Sequence, residues 1–244
     1  MRWLLVREKK FVLATDLDGT LVGDNSALCK LLKHFEESSQ QVALIYITGR
    51  HKASASALIT DEKLPEPDIL ITDVGTAIYT SQSLTEEKAW TDKMLSNWKP
   101  REIINISKKF PLLKRQALPN VSRISFTINH NEVLVKDFEK ALLENDISHK
   151  FVYSSNRDVD ILPLYSGKGE ALVYILQKYF KDDAQILVAG DSGNDLDMLS
   201  LDYPSVIVGN AQKELVEMND HPLLFRATKQ FAGGIHEAWL HFYH

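Results

Sequence analysis

Four short stretches of the 244-residue chain carry polar residues for which a packed core has no use. Asp16 and Asp18 close the apolar run Phe11-Val-Leu-Ala-Thr15 and are followed by Gly19-Thr20. On a strand, residues i and i+2 share a side, with Cα atoms roughly 6–7 Å apart, so both carboxylates are expected to face one place while Leu17 faces the packing. Two such groups repel unless a cation or a shared proton lies between them. A second acidic pair, Asp191 and Asp195, follows the run Gln185-Ile-Leu-Val-Ala-Gly190 at a strand-to-helix turn, where acids are favourable in any case. Together the two pairs supply at least three oxygens to one hard cation, and Mg²⁺ suits them because it binds carboxylates while keeping waters and a substrate phosphate. The eight histidines are scattered and show no zinc-ligand spacing.

Two further stretches bring positive charge and hydroxyls. Lys168 opens a helix, where its charge opposes the helix dipole. A residue that breaks a local rule is a functional candidate. On that reading its removal from an empty site should leave stability unchanged or slightly raised. Thr48 and the amide of Gly49 end another apolar run, where a hydroxyl and an N–H can hold a phosphate oxygen. An anion between Mg²⁺, Lys168 and Thr48 makes phosphoryl transfer the reaction class. Gly167-Lys168 is not a P-loop, because Leu162 and Gly169 stand where that pattern needs Gly and Ser or Thr. No Gly-x-Gly-x-x-Gly follows the first strand, which argues against dinucleotide chemistry.

The elements that must position these residues alternate. Residues 24–38 form a helix with Leu28, Leu31, Leu32 and Phe35 at its spacing, Asp24 or Asn25 as cap, and Cys29 as a small core residue. Strands are expected at 42–47, 68–72 and 76–79, with a helix between the first two ending near Thr60. After residue 167 the alternation resumes: a helix at 168–180, strands at 185–190 and 205–208, and helices at 211–218 and from Ala232 onward. This is the pattern of a doubly wound, mostly parallel α/β sheet, whose ligand site lies at the carboxyl ends of its strands. Between the two halves the rhythm changes. Trp90, Met94 and Trp98 are spaced for one helix face, and strands at 123–128, 150–154 and 157–162 surround a helix at 132–144. The expected organisation is a core of residues 1–79 and 163–244 with an inserted α+β cap at 80–162.

Composition narrows the classes. A net charge of −5 gives no footprint for nucleic acid or an anionic membrane. The single cysteine excludes an internal disulfide and agrees with a reducing compartment. The first ten residues hold only four consecutive apolar positions, too few for a signal-peptide core, and no later run could span a bilayer. The expectation is a cytoplasmic protein.

Asp16-Leu-Asp-Gly-Thr20, Thr48-Gly49, Lys168 and Gly190-Asp-Ser-Gly-Asn-Asp195 resemble, in order and spacing, the four motifs of the haloacid-dehalogenase-like phosphatases. The insertion resembles the large cap of their sugar phosphatases. Thr72-x-Val-Gly-x-x-Ile-Tyr79, Asp158-Val-Asp-Ile-Leu-Pro163, Asn210-Ala-Gln-x-Glu-Leu215 and Ala232-Gly-Gly-Ile235 resemble the bacterial sucrose-phosphatases more narrowly. The resemblance implies that Asp16 attacks phosphorus and that Asp18 protonates the leaving oxygen and then activates water. It implies a Mg²⁺ shell drawn from Asp16, Asp18 through its carbonyl, Asp191 and Asp195, with Thr48, Gly49, Arg50 and Lys168 on the phosphate. Asn194 and Asp195 orient shell and phosphate. At the end of the last cap hairpin Ser155, Asn156, Arg157 and Asp158 are candidates for sugar hydroxyls. The implied substrate is sucrose 6-phosphate. The alternatives are the phosphate of mannosylfructose or glucosylglycerol, a phosphosugar mutase, or a silent phosphate-binding regulator. The implied partners are a small-molecule sugar phosphate and the upstream synthase, with no nucleic acid or membrane, and the chain is expected to be a monomer.

Overall fold

The computed structural model describes residues 7–38, 41–80 and 84–244. An eight-stranded sheet has β1 (Phe11–Thr15) near its middle. On one side β1 is flanked by β10 (Gln185–Gly190), β11 (Ser205–Ile207) and β12 (Leu224–Arg226), and on the other by β2 (Val42–Ile47) and β3 (Ile69–Thr72), all parallel. β4 (Ala77–Thr80) and β5 (Thr85–Glu86) then run antiparallel at the far edge. The central strands read as unbroken apolar runs because both faces are covered. Val12 and Ala14 of β1 pack with Leu172 and Ile175 of helix α6 (Lys168–Tyr179). Leu13 points the other way, to Leu28 and Leu31 of α1 (Asn25–Glu37) and to Trp239 of α9 (Phe231–Tyr243). Asp24 caps α1, accepting the N–H groups of Ser26 and Ala27. Cys29 is exposed, not in the core: Leu28 and Leu31 set the buried stripe, and the next position round the helix from Leu28 faces solvent.

A second, four-stranded antiparallel sheet has the order β6 (Lys114–Arg115), β7 (Ile124–Thr127), β9 (Asp158–Leu162), β8 (Lys150–Ser154). Its own core joins Ile124, Phe126, Val159 and Ile161 to Ile103 of α4 (Pro100–Ser107) and Phe138 of α5 (Glu132–Glu144). The boundary expected at Thr80 falls inside a hairpin of the large sheet, where Tyr79 pairs with Glu86. Trp90 and Met94 of α3 (Lys88–Leu95) pack into the cluster of Ile175. Trp98 lies past the end of that helix and packs on the second core instead. We therefore place the crossing into the second unit after Leu95. Among the described residues no helix is long and apolar enough to cross a membrane.

Candidate active site

The polar stretches meet at the carboxyl edge of the large sheet because β1 and β10 are neighbours there. Asp16 follows β1 directly, its N–H donating to the carbonyl of Ala189 at 3.0 Å. Its side chain is buried, and Oδ1 accepts from Lys168 Nζ at 2.6 Å. The same ammonium donates to Asp195 Oδ1 at 2.7 Å. Lys168 is the first residue of α6 and is completely buried. Asp195 spends its other oxygen on its own loop, accepting the N–H groups of Asp191 and Ser192, each at 3.0 Å. Asp191 Oδ1 accepts from Thr20 Oγ1 at 2.9 Å. Gly19, with φ +83°, is required beside it: a Cβ there would stand 2.6 Å from Asp191 Oδ2.

Oxygens of Asp16, Asp191 and Asp195 lie within 4.8 Å of one another. One ammonium faces three carboxylates. Burial pushes the Asp16 carboxyl well above the usual carboxylate range, Lys168 pulls it back, and its two acidic neighbours push it up again. Burial, then the charge of Asp195, pushes Asp191 up to about 7. Desolvation would lower Lys168, but the two carboxylates hold its pKa above that of a free lysine. A buried, all-oxygen donor set short of positive charge is chemically fitted to a hard divalent cation.

Asp18 does not join this cluster. The strand ends at Thr15, and the carbonyl of Leu17 accepts the N–H groups of Thr20, Leu21 and Val22, so the chain turns and the two-residue alternation stops. Leu17 is buried, as expected, whereas the Asp18 side chain is half-exposed and held by Arg50, Nε to Oδ2 at 2.7 Å and Nη2 to Oδ1 at 2.8 Å. Thr48 is buried, and its Oγ1 accepts the N–H of Arg50 at 3.1 Å.

A cavity of about 480 Å³ separates this edge from the second unit. Asp16, Asp18, Gly49, Arg50, Asp191 and Asn194 line it from the core, while Thr48, Lys168 and Asp195 are fully buried and form no part of that lining. Asn194 Oδ1 is buried without a hydrogen-bond partner among the described residues. From the opposite wall come Ser155, Arg157 and Asp158, as expected of the hairpin, and also Ser154, Asp160 and Arg123. Asn156 lines an adjoining cleft with Tyr153 and Glu214 instead. Ser155 and Asn156 both have positive φ, 53° and 52°, the left-handed pair of a tight hairpin turn, which directs successive side chains apart.

A sequence model of the sucrose-6F-phosphate phosphohydrolase family matches residues 9–243. The chain belongs to that family. It is 31% identical to a probable sucrose-phosphatase 2 of Arabidopsis thaliana over 98% of its own length, spanning 61% of the plant protein. It is 32% identical to the mannosylfructose-phosphate phosphatase of Agrobacterium fabrum, covering 94% of this chain and 96% of that one. The sucrose-phosphatase of Synechocystis sp. PCC6803, solved in complex with sucrose and phosphate, superposes with a TM-score of 0.89 at 33% identity, covering 96% and 98% of the two chains. Within this family fold, Arg123 and Asp160 were missed by the sequence reading, although a signal was present. Ile124 and Phe126, Val159 and Ile161 face the second core, so Arg123, Ser125, Asp158 and Asp160 must share the opposite face.

Proposed function

We propose that the chain hydrolyses a phosphorylated sugar in a Mg²⁺-dependent reaction through an aspartyl-phosphate on Asp16, with sucrose 6-phosphate as substrate. The observation that carries this reading is the group formed by Asp16, Lys168, Asp195 and Asp191. One carboxylate lies at the floor of a covered cavity, is compensated from behind, and is flanked by acids that outnumber their counter-charge.

In the first step an Asp16 oxygen attacks phosphorus, the bond from phosphorus to the sugar oxygen breaks, and Asp18 gives that oxygen its proton. In the second, Asp18 takes a proton from water and the water oxygen attacks phosphorus. The bond to Asp16 breaks, restoring its carboxylate and releasing orthophosphate. Asp18 must leave Arg50 to reach the leaving oxygen. Lys168, Thr48 and the amide of Gly49 hold phosphoryl oxygens. Mg²⁺ supplies charge neutralisation when bound. Asp16, Asp191 and the carbonyl of Asp18 would hold it, with Asp195 and Asn194 orienting the loop around it. Ser155, Arg157 and Asp158 would meet the sugar hydroxyls.

The Agrobacterium relative, matched along nearly its whole length, favours a second reading in which another disaccharide phosphate takes the same chemistry. A panel of phosphosugars assayed for orthophosphate release with and without Mg²⁺ separates the two. The expected result is preference for sucrose 6-phosphate, dependence on Mg²⁺, and near-complete loss in a folded Asp16→Asn variant. Near-normal turnover by that variant would sink the covalent mechanism.

A further inference from the structure

One residue of the second sheet's polar face crosses to the phosphate-binding edge. Arg123 is 5% exposed. Its Nη2 donates to the carbonyl of Gly49 at 2.7 Å. Its Nη1 donates to Asp160 Oδ1 at 2.6 Å and to Ser125 Oγ at 2.9 Å, and the Ser125 hydroxyl also donates to Asp160. On the third side Nε faces Asp73 Oδ1 at 3.5 Å, and both atoms are buried with no hydrogen-bond partner among the described residues. Two orphaned atoms of opposite charge facing each other make an ion pair one hydrogen bond short of complete.

Asp73 belongs to the same loop system. It opens a turn in which Asp73, Val74 and Gly75 all have positive φ, 54°, 57° and 89°. The N–H of Asp73 donates to the carbonyl of Arg50 at 2.8 Å, and that of Val74 to the carbonyl of Thr48 at 3.2 Å. The segment Thr48-Gly49-Arg50 is thus gripped through its three carbonyls: two by the turn and the middle one by an arginine from the other unit. A planar guanidinium can serve Gly49, Asp160 and Asp73 at fixed angles, which an ammonium cannot.

We infer that Arg123 is a positioning residue that transmits docking of the second unit to the Thr48-Gly49 loop, its contact with Asp73 closing fully when substrate fills the cavity. The inference rests on the phosphate-binding role proposed for that loop. Because Arg123 acts at the phosphate end, its loss should be felt by every ester, unlike loss of a sugar contact.

The test compares Arg123→Lys, Arg123→Ala and Asp73→Asn on sucrose 6-phosphate and p-nitrophenyl phosphate, with Thr48→Ala as reference. Arg123→Lys should lower kcat about 10–100-fold on both esters while KM for the sugar phosphate moves less than about threefold. Asp73→Asn should lower kcat on both esters to a smaller degree. Added guanidinium should restore part of the activity of Arg123→Ala. If that variant fails to fold, the other two, which keep nearly the native shape, decide the matter. A loss confined to KM of the sugar ester would make Arg123 a sugar contact, and a lower Tm with unchanged kcat would make it structural. Either overturns the inference. Full activity in Thr48→Ala would instead remove the loop's phosphate role, whereas an inactive Thr48→Ala beside a normal Arg123→Lys would remove the role of Arg123 alone.

Discussion

The reaction proposed at Asp16 needs an ionised carboxylate in a place whose burial penalises one, and Lys168 is the group that pulls it back toward ionisation. A lysine at a helix start, judged by the helix dipole alone, is expected to be dispensable for stability. The contacts reverse that expectation: its ammonium has no exposure and two carboxylates within 2.7 Å. Lys168→Met should therefore lower Tm in the absence of ligand, by the equivalent of about 3–5 kcal/mol, because it strands buried negative charge. It should also cut kcat at least ~100-fold, and thermal melts beside kinetics check both. Asp191 gives a prediction in pH. Its carboxyl is raised to about 7 in the fold from about 4 when unfolded. The folded state thus binds the proton more tightly, and the stability this contributes is present below about pH 4 and lost as pH rises through about 7. Without metal, Asp191→Asn should be more stable than the parent at about pH 8 and lose that advantage near pH 5. Mg²⁺ should raise the Tm of the parent at pH 8 and leave the variant unmoved. A constant Tm difference between the two across that range would count against this.

At the scale of elements, what could be read from the chain depended on whether one strand or a pairing of strands set the position. β1, β2 and β10 announce themselves as apolar runs because each is buried on both faces. The polar residues after them fall where the sheet's carboxyl edge must be. The direction of Asp18 was not legible, since it turns on the strand ending at Thr15 rather than two residues later. Nor was the grip of Arg123 on Gly49, because the two lie 74 residues apart and meet only when the sheets face each other. β6 and β12, with two and three residues, have too little pattern to see. The turn at Asp73–Gly75 shows the same dependence on distant chain. Gly75 has φ +89°, and a Cβ on it would lie 2.2 Å from the carbonyl carbon and oxygen of Gly167, next to Lys168. Gly75→Ala should push the start of α6 away, costing about 1–3 kcal/mol in stability from the backbone conformation and the clash. It should also lower kcat, because Lys168 moves with it. Unaltered kcat in a folded Gly75→Ala would show that Lys168 tolerates the shift.

For the molecule as a whole, the site is a joint product of two units, and Glu214 ties them at the mouth. Its Oε1 accepts the N–H of Ser155 at the cap hairpin at 2.7 Å and that of Gly193 in the acidic loop at 3.2 Å. Glu214→Ala should loosen this tie and raise KM for the sugar phosphate about tenfold, the worth of a lost charged hydrogen bond. It should leave hydrolysis of p-nitrophenyl phosphate nearly unchanged, and equal effects on both esters would contradict it. The strand order carries a different consequence, for biogenesis. β1 is made well before β10, one of its two neighbours, and Asp16 and Lys168 are 152 residues apart. During synthesis β1 therefore waits with an unpaired edge while the whole second unit emerges. Such distant pairings form slowly, and an open apolar edge invites association with other chains. The repulsion among the carboxylates is deferred in the same way, because the cluster cannot exist before β10 docks beside β1.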